Sequence, residues 1–92
     1  MNEKLLEKKL REGVKKLGGI ALKFGTIYHT GMPDRIVLMT GGKASFVELK
    51  SKGKIPTVLQ TKSLELLEDL GFKTAVIDSQ ESLDKFLNGL SK

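Results

Sequence analysis

Residues 31–50, with the sequence GMPDRIVLMTGGKASFVELK, contain the pattern of a β-hairpin. Two apolar segments, residues 34–39 and 44–50, flank the sequence Thr-Gly-Gly-Lys at 40–43. Paired glycines permit the positive φ angles of a tight turn, so the stretch predicts two antiparallel strands. Before them, Gly31 permits a sharp bend and Pro33 keeps the preceding residue extended. The hairpin therefore places Asp34 at the start of one strand and Glu48 towards the end of its partner.

The rest of the chain alternates between helical and extended patterns. We predict helices over residues 2–17, 56–70 and 79–90, and further strands over residues 20–24 and 73–77. The predicted element order is α-β-β-β-α-β-α. Because a helix joins the third strand to the fourth, these two are predicted to be parallel neighbours, after an antiparallel meander of the first three. The predicted fold class is α/β, a small mixed β-sheet flanked by helices.

Each predicted helix has an apolar side and a recognisable end. Gly18 and Gly71 are suited to end the first two helices, Pro56 to occupy the first turn of the second, and Ser79 to cap the third. The residues predicted to be buried are Leu6, Leu10, Val14 and Leu17, then Leu59, Leu66, Leu67 and Leu70, and finally Leu83, Phe86 and Leu87.

The composition excludes several classes of protein. With 92 residues, we expect residues 1–92 to form a single small domain. The chain has no cysteine and one histidine, His29, which excludes disulfides, thiolate zinc sites, catalytic cysteines and multi-histidine metal sites. His29 is given no role, and any bound metal must use oxygen ligands. The chain contains no apolar run of 18 residues and no signal-peptide pattern, so we expect no membrane span and a cytoplasmic location.

The charge is unevenly distributed along the chain. The net charge is +5, but residues 1–62 carry thirteen Lys or Arg and five Asp or Glu, a net +8. Residues 63–92 carry three Lys and six Asp or Glu, a net −3. The first part is typical of a surface that faces a polyanion, although lysine-rich surfaces also serve solubility alone.

Asp34, Glu48 and Lys50 form the candidate catalytic group. Glu48 and Lys50 lie two residues apart in one strand and project from the same face, at the end of the hairpin that begins with Asp34. Two neighbouring carboxylates repel unless a cation lies between them or one holds a proton. Mg²⁺ suits such a site, and the carbonyl of Leu49 is a possible further ligand. With Lys50 to orient or activate a water, the pattern fits metal-assisted hydrolysis of a phosphodiester.

Each candidate also has an ordinary explanation. Glu-x-Lys pairs arise by chance in lysine-rich chains, and an Asp after Gly-x-Pro is often only a turn residue. On a helical wheel Glu7 falls about 100° from Leu6, between the buried stripe and a basic side, which suits a site carboxylate or a solvated charge. Glu3 is an alternative to Glu7. The clustering of the candidates on adjacent strands within the basic part of the chain favours the functional interpretation.

The motifs G-M-P-D-R-I-V-L at 31–38 and F-V-E-L-K at 46–50, followed by Gln60, closely resemble the VRR-NUC domain of the PD-(D/E)xK nuclease superfamily. The resemblance extends to E-K-K-L in the first helix, G-G-I-A-L-K-F at 18–24 and L-G-F-K-T-A-V-I-D at 70–78. It implies a restriction-endonuclease-like core and Mg²⁺- or Mn²⁺-dependent cleavage of DNA. Stand-alone members, typical of bacteriophages, resemble Holliday-junction resolvases, which implies a homodimer that cuts branched DNA such as a four-way junction.

The resemblance also implies roles for individual residues. The implied catalytic residues are Glu7, Asp34, Glu48, Lys50 and Gln60, and the candidate metal ligands are Asp34, Glu48 and the carbonyl of Leu49. The predicted DNA contacts are Lys8, Arg11, Lys15, Lys23, Arg35, Lys52 and Lys54. The alternative function is that of an accessory or nucleic-acid-binding module that keeps the fold without turnover.

Overall fold

A computed structural model describes residues 1–25 and 30–91, so His29 lies outside the described residues. The seven elements are α1 (Glu3–Lys16), β1 (Ile20–Lys23), β2 (Arg35–Met39), β3 (Lys43–Leu49), α2 (Val58–Asp69), β4 (Lys73–Ile77) and α3 (Gln80–Leu90). This order confirms the predicted α/β class, and several bounds differ from the prediction by one or two residues. No helix in the described ranges has the length and apolar character needed to cross a membrane.

The four strands form one sheet in the order β1-β2-β3-β4. The first three are antiparallel, with Arg35 opposite Val47, and β4 lies parallel to β3, with Val76 opposite Glu48. Gly41 and Gly42 have φ angles of 89° and 73°, which confirms the hairpin turn that paired glycines predict. The register places Asp34, just before β2, beside the C-terminal end of β3, at one end of the two central strands.

Helices cover both faces of the sheet. One face packs against α1 and α3 in the main hydrophobic core, while α2 packs on the other face through Leu64 and Leu67. Successive residues of β3 alternate between these faces, so Val47 and Leu49 point into the main core and Phe46 and Glu48 point towards α2. The buried residues of the main core are Leu6, Leu10, Val14, Ala21, Val37, Val47, Leu49, Ile77, Leu83 and Phe86.

Two predictions about buried leucines are wrong. Leu17 is 38% exposed because α1 ends at Lys16 and Gly18 turns the chain away with a φ of 89°. In α2, Leu67 is buried as predicted, but Leu59, Leu66 and Leu70 are exposed and Leu64 takes their place. The helix also begins at Val58, two residues after Pro56.

The orientation of Gln60 explains why the buried side of α2 differs from the predicted one. Its side chain is hydrogen-bonded to Glu48 on the sheet, so the stripe of Gln60, Leu64 and Leu67 must face inward. Leu59 precedes Gln60 by one residue, which corresponds to a rotation of about 100° on a helix. The leucine stripe that looked like the buried side is thereby turned away from the sheet.

Candidate active site

Asp34 is held at the entrance to β2 by its neighbours. Gly31, with a φ of 84°, lies so close to Leu59 that a Cβ atom there would come within 2.7 Å of that side chain. After the buried Pro33, the carbonyl of Asp34 accepts a hydrogen bond from the Phe24 N–H at 2.8 Å. The Asp34 side chain is exposed on one side, and its Oδ2 accepts a hydrogen bond from the Leu49 N–H at 2.8 Å.

Glu48 is the buried carboxylate of the site, with only 2% of its surface exposed. Its Oε2 accepts a hydrogen bond from Gln60 Nε2 at 2.9 Å and lies 3.3 Å from Lys50 Nζ. Its Oε1 has no hydrogen-bond partner, the one buried side-chain nitrogen or oxygen of which this is true in the described part of the chain. A buried carboxylate oxygen in this state costs free energy until a proton or a cation satisfies it.

The protonation of Glu48 reflects this environment. Burial raises the pKa of the Glu48 carboxyl above its usual value, because the charged form loses hydration. The negative charge of Asp34 raises this pKa further, while the hydrogen bond and charge of Lys50 act in the opposite direction. Asp34 and Glu48 therefore lie close enough for their charges to interact, as the hairpin predicts.

Gln60 is oriented by the start of its own helix. The Thr57 N–H donates to Gln60 Oε1 at 2.9 Å, and the Gln60 N–H donates to Thr57 Oγ1 at 3.1 Å, which forms a capping box. With Oε1 engaged, the amide directs its Nε2 donor at Glu48. Thr57 is absent from the predicted site residues, although the sequence Thr-x-x-Gln at 57–60 is a recognised signal for this cap.

The backbone of Leu49 also faces the site. In a strand, the N–H and C=O of one residue point to the same side, and the N–H of Leu49 points at Asp34. Lys50, the next residue, donates its N–H to the Ile77 carbonyl on the opposite side. The carbonyl of Leu49 therefore points towards the Asp34 side of β3.

These groups fit a hard divalent cation. Residues 1–25 and 30–91 contain no cluster of three or more His, Asp or Glu that could hold a metal, so the candidate ligands are Asp34, Glu48 and the Leu49 carbonyl. Mg²⁺ needs no more than one or two carboxylates because it retains several waters. The partnerless Oε1 of Glu48 and the exposed side of Asp34 provide the oxygen donors that such an ion prefers.

Glu7 lies on the other side of Asp34, in an open cleft of about 860 Å³. The cleft runs from the first two turns of α1 past Lys23 to Asp34 and Ser51, and Glu3 lines it as well. The Glu7 carboxylate pairs with Arg35 at 2.6 Å, and the Arg35 side chain is only 7% exposed. Glu48, Lys50 and Gln60 do not line this cleft, so Asp34 and Leu49 join two parts of the candidate site.

The predicted DNA contacts occupy different positions. Arg35 is buried in its ion pair with Glu7, which leaves little of it for direct contact with DNA. Lys23 is exposed in the cleft, and Lys15 lies about 12 Å further along α1 than Glu7. The remaining candidates, Lys8, Arg11, Lys52 and Lys54, are all exposed.

Comparisons with known proteins find similarity to a curated relative and to a solved structure. No family model matches the chain. The chain is 42% identical over 81 residues to "Putative nuclease p44" of Acyrthosiphon pisum secondary endosymbiont phage 1. The match covers 88% of this chain and 87% of that protein. Its structure resembles a solved structure described as "VRR_NUC domain", with a TM-score of 0.87, 28% identity and coverage of 94% of each chain.

Proposed function

Because the chain belongs to the VRR-NUC family of nucleases, we propose that it hydrolyses phosphodiester bonds in branched DNA with the help of Mg²⁺ or Mn²⁺. One observation carries the proposal. The buried Glu48 offers an oxygen without a hydrogen-bond partner beside Asp34, and its other oxygen is held 3.3 Å from the Lys50 ammonium. A structural ion pair needs no such free oxygen, whereas a metal-binding carboxylate does.

Each residue has a separate task in the proposed reaction. Asp34, Glu48 and the Leu49 carbonyl hold the ion, which supplies electrostatic stabilisation of the scissile phosphate. Lys50, with its side chain 17% exposed, donates a hydrogen bond to the attacking water or to a phosphate oxygen. Gln60 keeps the Glu48 carboxylate in place through its Nε2 donor. The start of β2, the end of β3 and the first turn of α2 bring these groups together.

Basic residues around the site are proposed to hold the DNA backbone. Lys52 and Lys54 lie two and four residues after Lys50 and are exposed, and Lys23 lines the cleft. Exposed Lys8, Arg11 and Lys15 extend this set along α1. For Arg35 we propose a supporting role instead, because its guanidinium pairs with Glu7 and is buried. Such lysines and arginines bind phosphates without regard to base sequence.

Cleavage of a labelled four-way junction tests the proposal. Wild-type protein is expected to cut the junction in Mg²⁺ or Mn²⁺ and to stop when EDTA is added. A panel with flap, splayed and linear substrates of equal length measures which DNA structure is preferred. If the protein binds these substrates and cuts none of them with either metal, it is the non-catalytic module and the proposed enzyme activity is refuted.

We expect the metal to stabilise the folded protein against heat. An ion that binds only the native state adds about 2.7 kcal/mol at a concentration 100 times its dissociation constant. Addition of Mg²⁺ or Mn²⁺ to the DNA-free protein should therefore raise the melting temperature, and Asp34→Asn should lose this increase. Asp84→Asn, a change of the same kind on exposed α3, should keep it. An equal increase for both variants would contradict the assignment of Asp34.

We further propose that two copies associate through α2. Leu59, Leu66 and Leu70 are 49%, 52% and 66% exposed, and their spacing of seven and four residues aligns them along one side of the helix. Lys62 lies in the first half of α2 and Asp69 at its end, and both flank the leucine side of the helix within about 80° of Leu59. Two antiparallel copies related by a two-fold axis would bring Lys62 of each helix towards the acidic end of the other.

Sedimentation tests this dimer. The wild-type chain should sediment as a dimer at micromolar concentration, and Leu66→Glu should give a folded monomer. Lys62→Asp and Asp69→Lys should each weaken the dimer by placing like charges together, and the double exchange should restore it. A dimer that persists unchanged in Leu66→Glu would exclude this surface.

A further inference from the structure

Ile55 and Val58 are the two most exposed large hydrophobic side chains in the described part of the chain, at 82% and 75%. Ile55 lies in the connection between β3 and α2, and Val58 is the first residue of α2. We call residues 51–58 the 51–58 segment. Neither side chain belongs to a core, so both are available for contact with a partner. Both residues lie between Lys50 and Gln60, two residues of the candidate active site.

Residues on both sides of the 51–58 segment contact the same atom, Glu48 Oε2. On the N-terminal side, Lys50 Nζ lies 3.3 Å from Glu48 Oε2. On the C-terminal side, Gln60 Nε2 donates to Glu48 Oε2 at 2.9 Å. Between these anchors, the Lys54 N–H donates to the Ser51 carbonyl at 3.0 Å, and Gly53 adopts a φ of 81°. Ile55 therefore lies five residues from each of the two side chains, Lys50 and Gln60, that contact Glu48.

The charge around Ile55 indicates the kind of partner. Lys52 and Lys54 are exposed in the same segment, and neither forms an ion pair with any described residue. The segment contains no acidic residue. An apolar side chain next to free cations matches DNA, in which the apolar faces of stacked bases lie beside a phosphate backbone, better than it matches the apolar surface of a protein. Phosphate contacts from such lysines would fix the position of the segment on the duplex.

We propose that Ile55, supported by Val58, is a wedge that inserts between bases at a branch point while Lys52 and Lys54 hold the adjacent phosphates. Proteins that kink DNA insert apolar side chains between base steps in this way and must offset the loss of stacking. At a branch point the stacking is already interrupted, so the cost is smaller there than in a linear duplex. This inference rests on the proposed function and names the residues that make the protein prefer branched DNA.

The test measures base stacking without cleavage. A four-way junction carrying 2-aminopurine next to the branch point is titrated with protein in EDTA, since the fluorescence of this base increases when it unstacks. Wild-type protein and Ile55→Leu should increase the fluorescence, and the double variant Ile55→Ser with Val58→Ser should not. The same double variant should lose about tenfold of its affinity for the junction and little for a linear duplex.

Ile20→Ser is the matched control. Ile20 is 52% exposed, and it lies at the end of β1 that pairs with Leu38, away from Asp34. It should behave as wild type in both fluorescence and affinity. A double variant that still unstacks the reporter base, or one whose main change is in its sedimentation, would overturn the wedge. Failure of wild-type protein to cut any DNA in Mg²⁺ would instead refute the proposed function, and the fluorescence in EDTA would still decide the wedge.

Discussion

Replacement of Glu48 with glutamine is expected to abolish DNA cleavage while the protein still binds its substrate. Glutamine keeps the size of the side chain and one oxygen acceptor, but it removes the negative charge that a divalent cation requires. Loss of metal-ion stabilisation amounts to several kcal/mol, so the cleavage rate should fall by about 10³-fold or more. Initial rates on a labelled junction in Mg²⁺, with junction affinity measured in EDTA, separate the two effects.

The matched control for this change is Glu12→Gln. Glu12 is exposed on α1 and carries the same side chain, so its replacement should leave the rate within about twofold of wild type. Thermal unfolding of both variants establishes that each is folded. If Glu48→Gln retained a tenth or more of the wild-type rate, the metal site proposed at Glu48 would be wrong.

Leu6→Ala is expected to destabilise the fold strongly, whereas Leu5→Ala should change it little. Leu6 is completely buried in the main core, and Leu5, its neighbour on α1, is 41% exposed. Removal of a buried leucine side chain costs about 2–5 kcal/mol, because it leaves a cavity as well as losing burial. The total stability of a domain of this size is about 5–14 kcal/mol, so this loss is a large fraction of it.

Thermal or urea unfolding measures this difference directly. For a domain of this size, 1 kcal/mol shifts the melting temperature by about 4–8 °C, so Leu6→Ala should lower it by about 10 °C or more. Leu5→Ala should stay within about 0.5 kcal/mol of wild type. Because both changes are made in adjacent residues of one helix, the helix propensity they alter is the same. Equal destabilisation by the two variants would contradict the burial of Leu6.

The sheet could be predicted from the sequence because its signals are local. The glycine pair at 41–42 permits the positive φ angles of a tight turn, and that turn sets the register of β2 and β3. The parallel pairing of β3 and β4 follows from the single helix that connects them. These features depend on backbone conformation at a few positions, and such constraints can be recognised without knowing the neighbours in space.

The rotation of α2 could not be predicted in the same way. Its sequence has two leucine stripes, and hydrophobicity alone favours the one with Leu59, Leu66 and Leu70. The choice is made by a polar contact, the hydrogen bond from Gln60 to Glu48, which fixes the other stripe against the sheet. A long-range hydrogen bond of this kind leaves no periodic signal in the sequence.

In the candidate site, too, local patterns predict some positions, while others depend on tertiary contacts. Asp34, Glu48 and Lys50 come together as expected, because the hairpin register and the alternation of a strand determine their positions. The pairing of Arg35 with Glu7 joins α1 to β2, and it turns a residue expected on the DNA-facing surface into a buried partner. Thr57 could have been found from its spacing to Gln60, but its effect on Glu48 requires the tertiary structure.

The contacts of Lys50 and Gln60 with Glu48, on either side of the 51–58 segment, have a consequence for the evolution of such proteins. Since Lys50, Thr57 and Gln60 all lie outside residues 51–56, the length and composition of that stretch can change without moving the Glu48 carboxylate. Lengthening a loop costs little free energy, about 0.6 kcal/mol for each doubling. The stretch can thus be exchanged between relatives. Replacing it with that of a relative with a different substrate preference would transfer that preference and leave the catalytic residues unchanged.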